Sequence, residues 1–133
     1  RDISLSRALL NALPMPVWLR GADGRIAWVN KAYVTAVEAT DEAEVRERQI
    51  ELLEARQREE LKATVSRGTA FEKRLALNIA GERRSHDVVA LPLGEALAAA
   101  AMDVTAAESA RGELDRQIVA YDRTLDRVGP TSG

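Results

Sequence analysis

An alanine-rich segment near the carboxyl end limits the folds that are open to this chain. Alanine is the best helix former, so propensity alone predicts one long helix here. Two observations oppose that reading. Residues 103–105, Asp-Val-Thr, interrupt the run with poor helix formers, and Thr105 with Glu108 forms a T-x-x-E capping box, which marks the first turn of a helix. We therefore predict a strand over residues 96–102 and, beginning at the break, a helix over residues 106–128.

The amino-terminal part of the sequence predicts a helix followed by a hairpin. Apolar residues at helical spacing favour a helix over residues 1–13, and two prolines then end it. A Gly/Asp-rich turn at residues 21–24 separates two short apolar stretches, which is a strong local signal for a β-hairpin. Asn30 follows the second stretch, and its side chain can cap a short helix over residues 31–38.

The middle of the chain changes from helical to strand periodicity near residue 68. A broken apolar stripe over residues 41–67 predicts two or three short helices rather than one long helix. From residue 71 onward apolar residues recur at every second position, which predicts two strands joined by a turn at residues 80–82. Leu75 and Leu77 share one face of the first of these strands.

The resulting order of elements resembles that of the PAS family. Residues 22–30, with the sequence ADGRIAWVN, resemble the family's D-G-x-I-x-x-x-N segment, and residues 102–108 resemble the D-I-T motif after which the PAS sheet gives way to a signalling helix. The resemblance implies an α+β chain with the PAS fold. We expect a five-stranded antiparallel sheet with flanking short helices over residues 14–105, a signalling helix over 106–128, and, from its composition, a disordered tail over 129–133.

The resemblance also implies a role in signalling. The final helix is similar to the linker between PAS domains in alphaproteobacterial cell-cycle sensor kinases of the DivL type. We expect a cytoplasmic, non-catalytic sensory module from a two-component sensor histidine kinase, whose parent protein can be membrane-anchored. The partners that the resemblance implies are a second copy of the chain, neighbouring PAS or kinase domains of the parent, and a response regulator.

The predicted final helix carries an apolar seam. Its members are spaced by four, three, four and three positions, as in the a and d positions of a coiled coil, and they are Leu114, Ile118, Tyr121, Leu125 and Val128. We expect the seam to form the main contact of a homodimer. The alternative is that the helix folds back and buries the seam on its own domain.

Three residues at the start of this helix form the predicted signalling junction, namely Asp103, Thr105 and Glu108. Thr105 fixes the start of the helix, and Asp103 is expected to pair with a basic group on the sheet. A change in the sheet would then shift or rotate the helix, and a coiled coil would pass that shift to the partner chain.

We expect Thr105→Ala to destabilise the start of the final helix by about 1 kcal/mol, because one backbone N–H there loses its acceptor. Hydrogen exchange at the amides of Ala107 and Glu108 measures the effect, and protection should fall at both. Unchanged protection would mean that Thr105 does not cap the helix.

The sequence offers few residues for catalysis or metal binding. It has no cysteine and one histidine, His86, whose neighbour Asp87 points to the opposite face of a predicted strand. We interpret His86 as a surface or edge residue. We expect no catalytic residue, no metal site, and no haem or flavin cofactor, because the histidine and cysteine anchors used by PAS relatives are absent from the central helix. The net charge of −2 gives no basic excess for nucleic acid.

A second function stays open for the sheet. Small side chains on the alanine-rich strand can either leave a cavity opposite Leu75 and Leu77 or let a helix pack closely. A cavity would make the chain a binding domain for a small apolar ligand. The residues predicted to line such a pocket or sheet face are Trp18, Trp28, Leu75, Leu77, Ala98 and Ala100.

Overall fold

A computed structural model describes the backbone of residues 2–132 and the side chains of residues 6–104, 108 and 110–123. In chain order its elements are α1 (Asp2–Ala12), β1 (Val17–Arg20), β2 (Ile26–Val29), α2 (Lys31–Ala36), α3 (Glu42–Arg48), α4 (Ala55–Ser66), β3 (Phe71–Ile79), β4 (Glu82–Leu93), β5 (Ala96–Asp103) and α5 (Thr105–Ser132). The chain divides into two units, the first ending at Asp103 and the second beginning at Val104.

The first unit is built on one antiparallel sheet with the strand order β2-β1-β5-β4-β3. The predicted α+β architecture with five antiparallel strands is therefore confirmed. The alanine-rich segment is β5, and it pairs with β1 on one side and β4 on the other. Pairing on both sides overrides the helical propensity of its alanines, since strand preference depends on the surroundings more than on the residue itself.

Side-chain caps place the starts of the helices. Asn30 caps α2 by accepting a hydrogen bond from the backbone N–H of Tyr33, at 3.0 Å. Asp41 caps α3 by accepting from the N–H of Glu44 at 2.8 Å, and the Glu44 carboxylate in turn accepts from the N–H of Thr40. That last bond is the main reason why the pKa of Glu44 lies below its ordinary value.

The end of α3 also covers one edge of the sheet. Gln49 follows the helix in the left-handed region, with φ of 51°. Its side-chain amide accepts from the N–H of Ile26 at 2.7 Å and donates to the carbonyl of Ile26 at 3.2 Å. Because it satisfies both backbone groups of one β2 residue, this amide occupies the place of a neighbouring strand.

The hydrophobic core lies between one face of the sheet and helices α2, α3 and α4. The strands contribute alternate residues to this core face, and the largest contributions of the helices come from Tyr33, Val45, Leu61 and Val65. Ala99 and Ala101 of β5 point into the core, opposite Ala90 and Val88 of β4. The opposite face of the sheet, called here the outer face, carries half-buried or exposed side chains: Leu19, Trp28, Val89, Leu91, Leu93, Ala98, Ala100 and Met102.

The structure contradicts our interpretation of His86. Its side chain is 2% exposed, on the same face of β4 as the buried Val88. The error came from treating β4 as an edge strand, whereas β4 pairs with β3 and β5, and His86 lies opposite Leu75 and Asp103. Its Nδ1 lies 3.0 Å from the carbonyl oxygen of Arg84, which meets the need of a buried imidazole for a polar partner.

The second unit consists mainly of α5. The helix begins at Thr105, one position before the predicted start, and the N–H of Glu108 donates to the carbonyl of Val104 at 2.8 Å. The backbone stays helical to Ser132, past the predicted end at Val128 and through residues 129–132, for which we predicted disorder.

Candidate functional site

A cleft of about 570 Å³ opens on the core side of the sheet. Its walls are the start of β5, the end of β1 with the turn that follows, α4, and the segment before α4. The apolar wall consists of Trp18, Leu53, Leu61, Val65 and Leu97. A cleft of this volume lies in the range typical of small-molecule sites, which is roughly 300–1,000 Å³.

Three charged side chains meet inside the cleft. The Glu51 carboxylate forms an ion pair with Nη2 of Arg20, and Nε of Arg58 lies 3.9 Å from the same carboxylate oxygen. The three side chains are 15% exposed for Arg20, 23% for Glu51 and 36% for Arg58. Two partly buried guanidinium groups therefore share one carboxylate, and these three side chains together carry a net charge of +1.

Backbone carbonyls hold both guanidinium groups in place. Nη1 of Arg20 donates to the carbonyl of Gly24 in the β1–β2 turn at 2.9 Å. Nη1 of Arg58 donates to the carbonyl of Leu53 at 2.6 Å. The turn that carries the Asp-Gly motif and the segment before α4 thus position the two cations, so that the charged cluster links distant parts of the chain.

Tyr33 fixes the segment that carries Glu51. Its hydroxyl donates to the carbonyl of Ile50 at 2.9 Å and accepts from the N–H of Leu52 at 3.0 Å. Its ring packs at a tilt against Trp18, with 5.5 Å between the ring centroids. Burial raises the pKa of Tyr33 well above its ordinary value, and the nearby Glu51 carboxylate raises it further. The phenol is therefore neutral at physiological pH.

The structure does not bring the six predicted pocket residues together. Trp18 and Leu77 are buried on the core face, Leu75 is half-buried on that face, and Trp18 alone of the six lines the cleft. The other three predicted residues, Trp28, Ala98 and Ala100, lie on the outer face. The register of β5 is responsible, because its odd-numbered alanines face the core and its even-numbered ones face away.

Sequence reasoning missed the charged residues of the cleft. One signal was available for Arg20, because it stands two positions after Trp18 on an apolar strand and so shares its face. Glu51 and Arg58 gave no such signal. Glu51 lies between helices and meets Arg20 across 31 positions of sequence, a contact that only the folded chain creates.

At the predicted junction, Arg84 is the basic group that Asp103 contacts. Nε of Arg84 lies 3.1 Å from Oδ2 of Asp103, an ion-pair contact across β4 and β5. Arg84 also donates from Nη1 to Glu82, at 3.1 Å. The side chain of Thr105 lies outside the described residues, so its role as a cap stays a prediction, and the side chain of Glu108 is exposed.

The described part of the predicted helix seam is exposed to solvent. The exposed fraction is 59% for Leu114, 50% for Ile118 and 64% for Tyr121. The side chains of Leu125 and Val128 lie outside the described residues.

Among the side chains that the structure describes, no group of three His, Asp or Glu residues is placed to hold a metal ion. None of the helices, so far as their residues are described, has the length and apolarity to cross a membrane.

No protein-family model matches the chain. Solved structures share its fold. The PAS domain of BvgS from Bordetella pertussis matches with a TM-score of 0.55 and 19% identity, over 92% of this chain and 99% of that one. The chain has the PAS fold. A domain of a sensory box sensor histidine kinase/response regulator from Geobacter sulfurreducens matches this chain with a TM-score of 0.57 and 19% identity, over 77% of this chain and 94% of that one.

The chain is also similar in sequence to a curated protein, Sensor protein DivL from Caulobacter vibrioides. The two are 28% identical over 122 residues, which is 91% of this chain and 16% of DivL. The chain therefore spans about a sixth of the length of that relative. The resemblance inferred from the motifs at residues 22–30 and 102–108, to a PAS domain of a bacterial sensor protein of the DivL type, is confirmed.

Proposed function

We propose that this PAS domain is a sensory and protein-interaction module of a two-component sensor histidine kinase, and that it relays a signal to a kinase core through a dimeric α5. The observation that carries the proposal is the direct succession of β5 and α5, with Val104 alone between them. This short connection gives a displacement of β5 a direct covalent path to the helix start. The similarity to Sensor protein DivL supports the sensory assignment.

In this proposal the domain performs no chemical step, and the kinase activity belongs to the parent protein. The partners are a second copy of the domain, the neighbouring PAS or kinase domains, and a response regulator that the parent addresses. We place the module in the cytoplasm, where sensor kinases meet their regulators. The contact between Arg84 and Asp103 connects β4 to the last residue of β5, so a change in β4 has a path to the helix start.

The exposed seam of α5 supports the dimer. A helix of 28 residues that exposes Leu114, Ile118 and Tyr121 leaves apolar surface in water that a second copy can bury. The seam has the a/d spacing that two parallel helices need to interlock. Val119 is exposed to a similar extent, at 47%, but lies outside the seam.

We expect Ile118→Asp to weaken the dimer strongly and Val119→Asp to leave it nearly unchanged. The first change places a charge in the contact between two helices, and the second places the same charge beside it, so helix propensity and net charge are matched. Sedimentation equilibrium of the wild type and both variants measures the dimer dissociation constant. Equal weakening by the two variants would contradict the seam, and a wild type that stays monomeric at high concentration would contradict the dimer.

The cleft supports a second candidate function, the binding of a small ligand. Its volume suits a metabolite, and its apolar wall offers burial. The lining differs from the purely apolar set that we predicted, because Arg20, Glu51 and Arg58 belong to it. Mass spectrometry of the purified domain under native and denaturing conditions tests this function. A copurified small molecule that is lost on denaturation would support it.

A further inference from the structure

The charged cluster of Arg20, Glu51 and Arg58 indicates the class of ligand that the cleft can hold. We propose that the cleft binds small organic monocarboxylates with an apolar body, and that the carboxylate of the ligand lies between the guanidinium groups of Arg20 and Arg58. This inference rests on the second candidate function, ligand binding in the cleft, and names the ligand chemistry for it.

The first support is unused donor capacity. A guanidinium group has five N–H donors. Arg20 directs one at Gly24 and one at Glu51. Arg58 directs one at Leu53 and makes a long contact with Glu51. Both groups therefore keep donors available for a carboxylate, which the planar guanidinium binds in a bidentate manner.

The second support is the unfavourable desolvation of the two arginines when the cleft holds no ligand. With side chains only 15% and 36% exposed, the two cations have lost part of their hydration and share one carboxylate. A partly buried charge without its own partner is unfavourable, and a second carboxylate in the cleft removes that penalty. The hydroxyl of Tyr33 is already used by Ile50 and Leu52, so the arginines dominate recognition of the head group.

The remaining lining selects the rest of the ligand. Trp18, Leu61 and Val65 present apolar surface next to the cluster, which favours an aliphatic or aromatic body. The other charged residues of the lining are Glu59, Glu95 and Lys62, whose net charge of −1 disfavours a second negative charge on the ligand. Dicarboxylates and phosphate esters should therefore bind more weakly than monocarboxylates of the same size.

The two tryptophans of the chain provide a built-in readout. Trp18 lines the cleft, whereas Trp28 lies on the outer face of the sheet. The probe is 4-phenylbutanoate, and 4-phenylbutanamide is the control of nearly the same shape without the charge. In ¹⁵N NMR titrations the two indole signals are assigned with the variant Trp28→Phe. We expect 4-phenylbutanoate to shift the indole signal of Trp18 and to leave that of Trp28 unchanged. At the same concentration, 4-phenylbutanamide should shift neither signal.

Two variants in the cluster should change affinity in opposite directions. Arg58→Gln removes a cation from the cleft, and we expect the dissociation constant of 4-phenylbutanoate to rise by about tenfold or more. Glu51→Gln removes the internal carboxylate that competes with the ligand, so the dissociation constant should fall. Arg46→Gln is the matched control, because Arg46 pairs with one glutamate on an exposed helix outside the cleft. Thermal unfolding verifies that each variant is folded.

Each outcome bears on the inference. If the amide shifts the Trp18 signal as strongly as the carboxylate, the cleft binds neutral ligands, and the carboxylate class is overturned while ligand binding stands. If Glu51→Gln weakens binding as Arg58→Gln does, the arrangement of the head group between the arginines is wrong. If neither compound shifts Trp18 at millimolar concentration, both the carboxylate class and the ligand-binding function are overturned. The dimeric relay through α5 is independent of all three results.

Discussion

Asn30→Ala should lower the free energy of unfolding by about 4 kcal/mol, a large effect for one side chain. Asn30 is fully buried. Its Oδ1 accepts from the N–H of Val17 at 2.9 Å and from that of Tyr33 at 3.0 Å. Its Nδ2 donates to the carbonyl of Leu10 at 2.7 Å and to that of Met15 at 3.0 Å. These are the four hydrogen bonds that a side-chain amide can make, and the substitution breaks all of them.

The size of this effect follows from the positions of the four partners. They are the end of α1, the segment after it, the start of β1 and the first turn of α2. The carbonyl of Leu10 also accepts from the N–H of Leu13 at 3.3 Å, so the cost of an unsatisfied polar group falls mainly on the other three partners. The helix α1 should also detach locally, because its carbonyl bond at Leu10 is among those lost.

Two control variants isolate the contribution of the amide. Asn30→Asp keeps the two acceptor bonds but turns a carboxylate oxygen towards the carbonyls of Leu10 and Met15, so it should cost nearly as much as Asn30→Ala. Asn11→Ala removes a single exposed bond to the N–H of Lys31 and should cost less than about 1 kcal/mol. Urea denaturation gives all three values. A loss for Asn30→Ala no larger than that for Asn11→Ala would contradict this account.

Tyr33→Phe should lower the free energy of unfolding by about 2–3 kcal/mol, because it leaves the carbonyl of Ile50 and the N–H of Leu52 without their shared partner. The ring stays in contact with Trp18, so the change removes the hydroxyl and little packing. The segment that carries Glu51 should loosen, which hydrogen exchange at Leu52 would show. Tyr121→Phe, which keeps the ring that lies in the proposed α5 seam and removes only a hydroxyl, is the control and should have almost no effect.

The difference in stability between the wild type and Tyr33→Phe should also depend on pH. The pKa of Tyr33 is raised by burial, so the folded state favours the protonated phenol. Its contribution is fully present below the ordinary tyrosine pKa of about 10 and is lost as the pH rises above that value. The stability gap between the wild type and Tyr33→Phe should therefore narrow above about pH 10. A gap that stays constant in that range would contradict the raised pKa.

The order of elements could be predicted because local signals agreed with one another. The break at residues 103–105 interrupted the alanine run, and the capping residue Asn30 stood before a helical periodicity. β5 itself required a decision against propensity, which the break justified. The PAS fold followed from that order together with the two short motifs.

The sidedness of the strands and the cleft could not be predicted, because both depend on tertiary pairing. A shift of one position in β5 exchanges Ala98 and Ala100 with Ala99 and Ala101, and the alanine run contains no polar alternation that sets the phase. His86 was placed wrongly for the related reason that the strand order of a sheet decides which strand is an edge. The charged cluster of the cleft joins residues from β1, α4 and the segment before α4, and the sequence carries no local pattern for it.

The covering of β2 by Gln49 makes the two borders of the sheet unequal. With the N–H and carbonyl of Ile26 already engaged, a strand from another molecule meets an occupied residue at the β2 border, whereas at β3 the carbonyl of Ala76 makes one longer contact, with Nε2 of Gln57 at 3.4 Å. A fibril that grows by adding strands needs two open borders on every copy, and in this domain the β3 border is the more open of the two. The exposed charged side chains of Glu72, Lys73 and Arg74 also disfavour strand pairing at the edge of β3. Growth by strand pairing would therefore end at two copies, and Gln49→Ala, which reopens β2, should make the domain more prone to form fibrils.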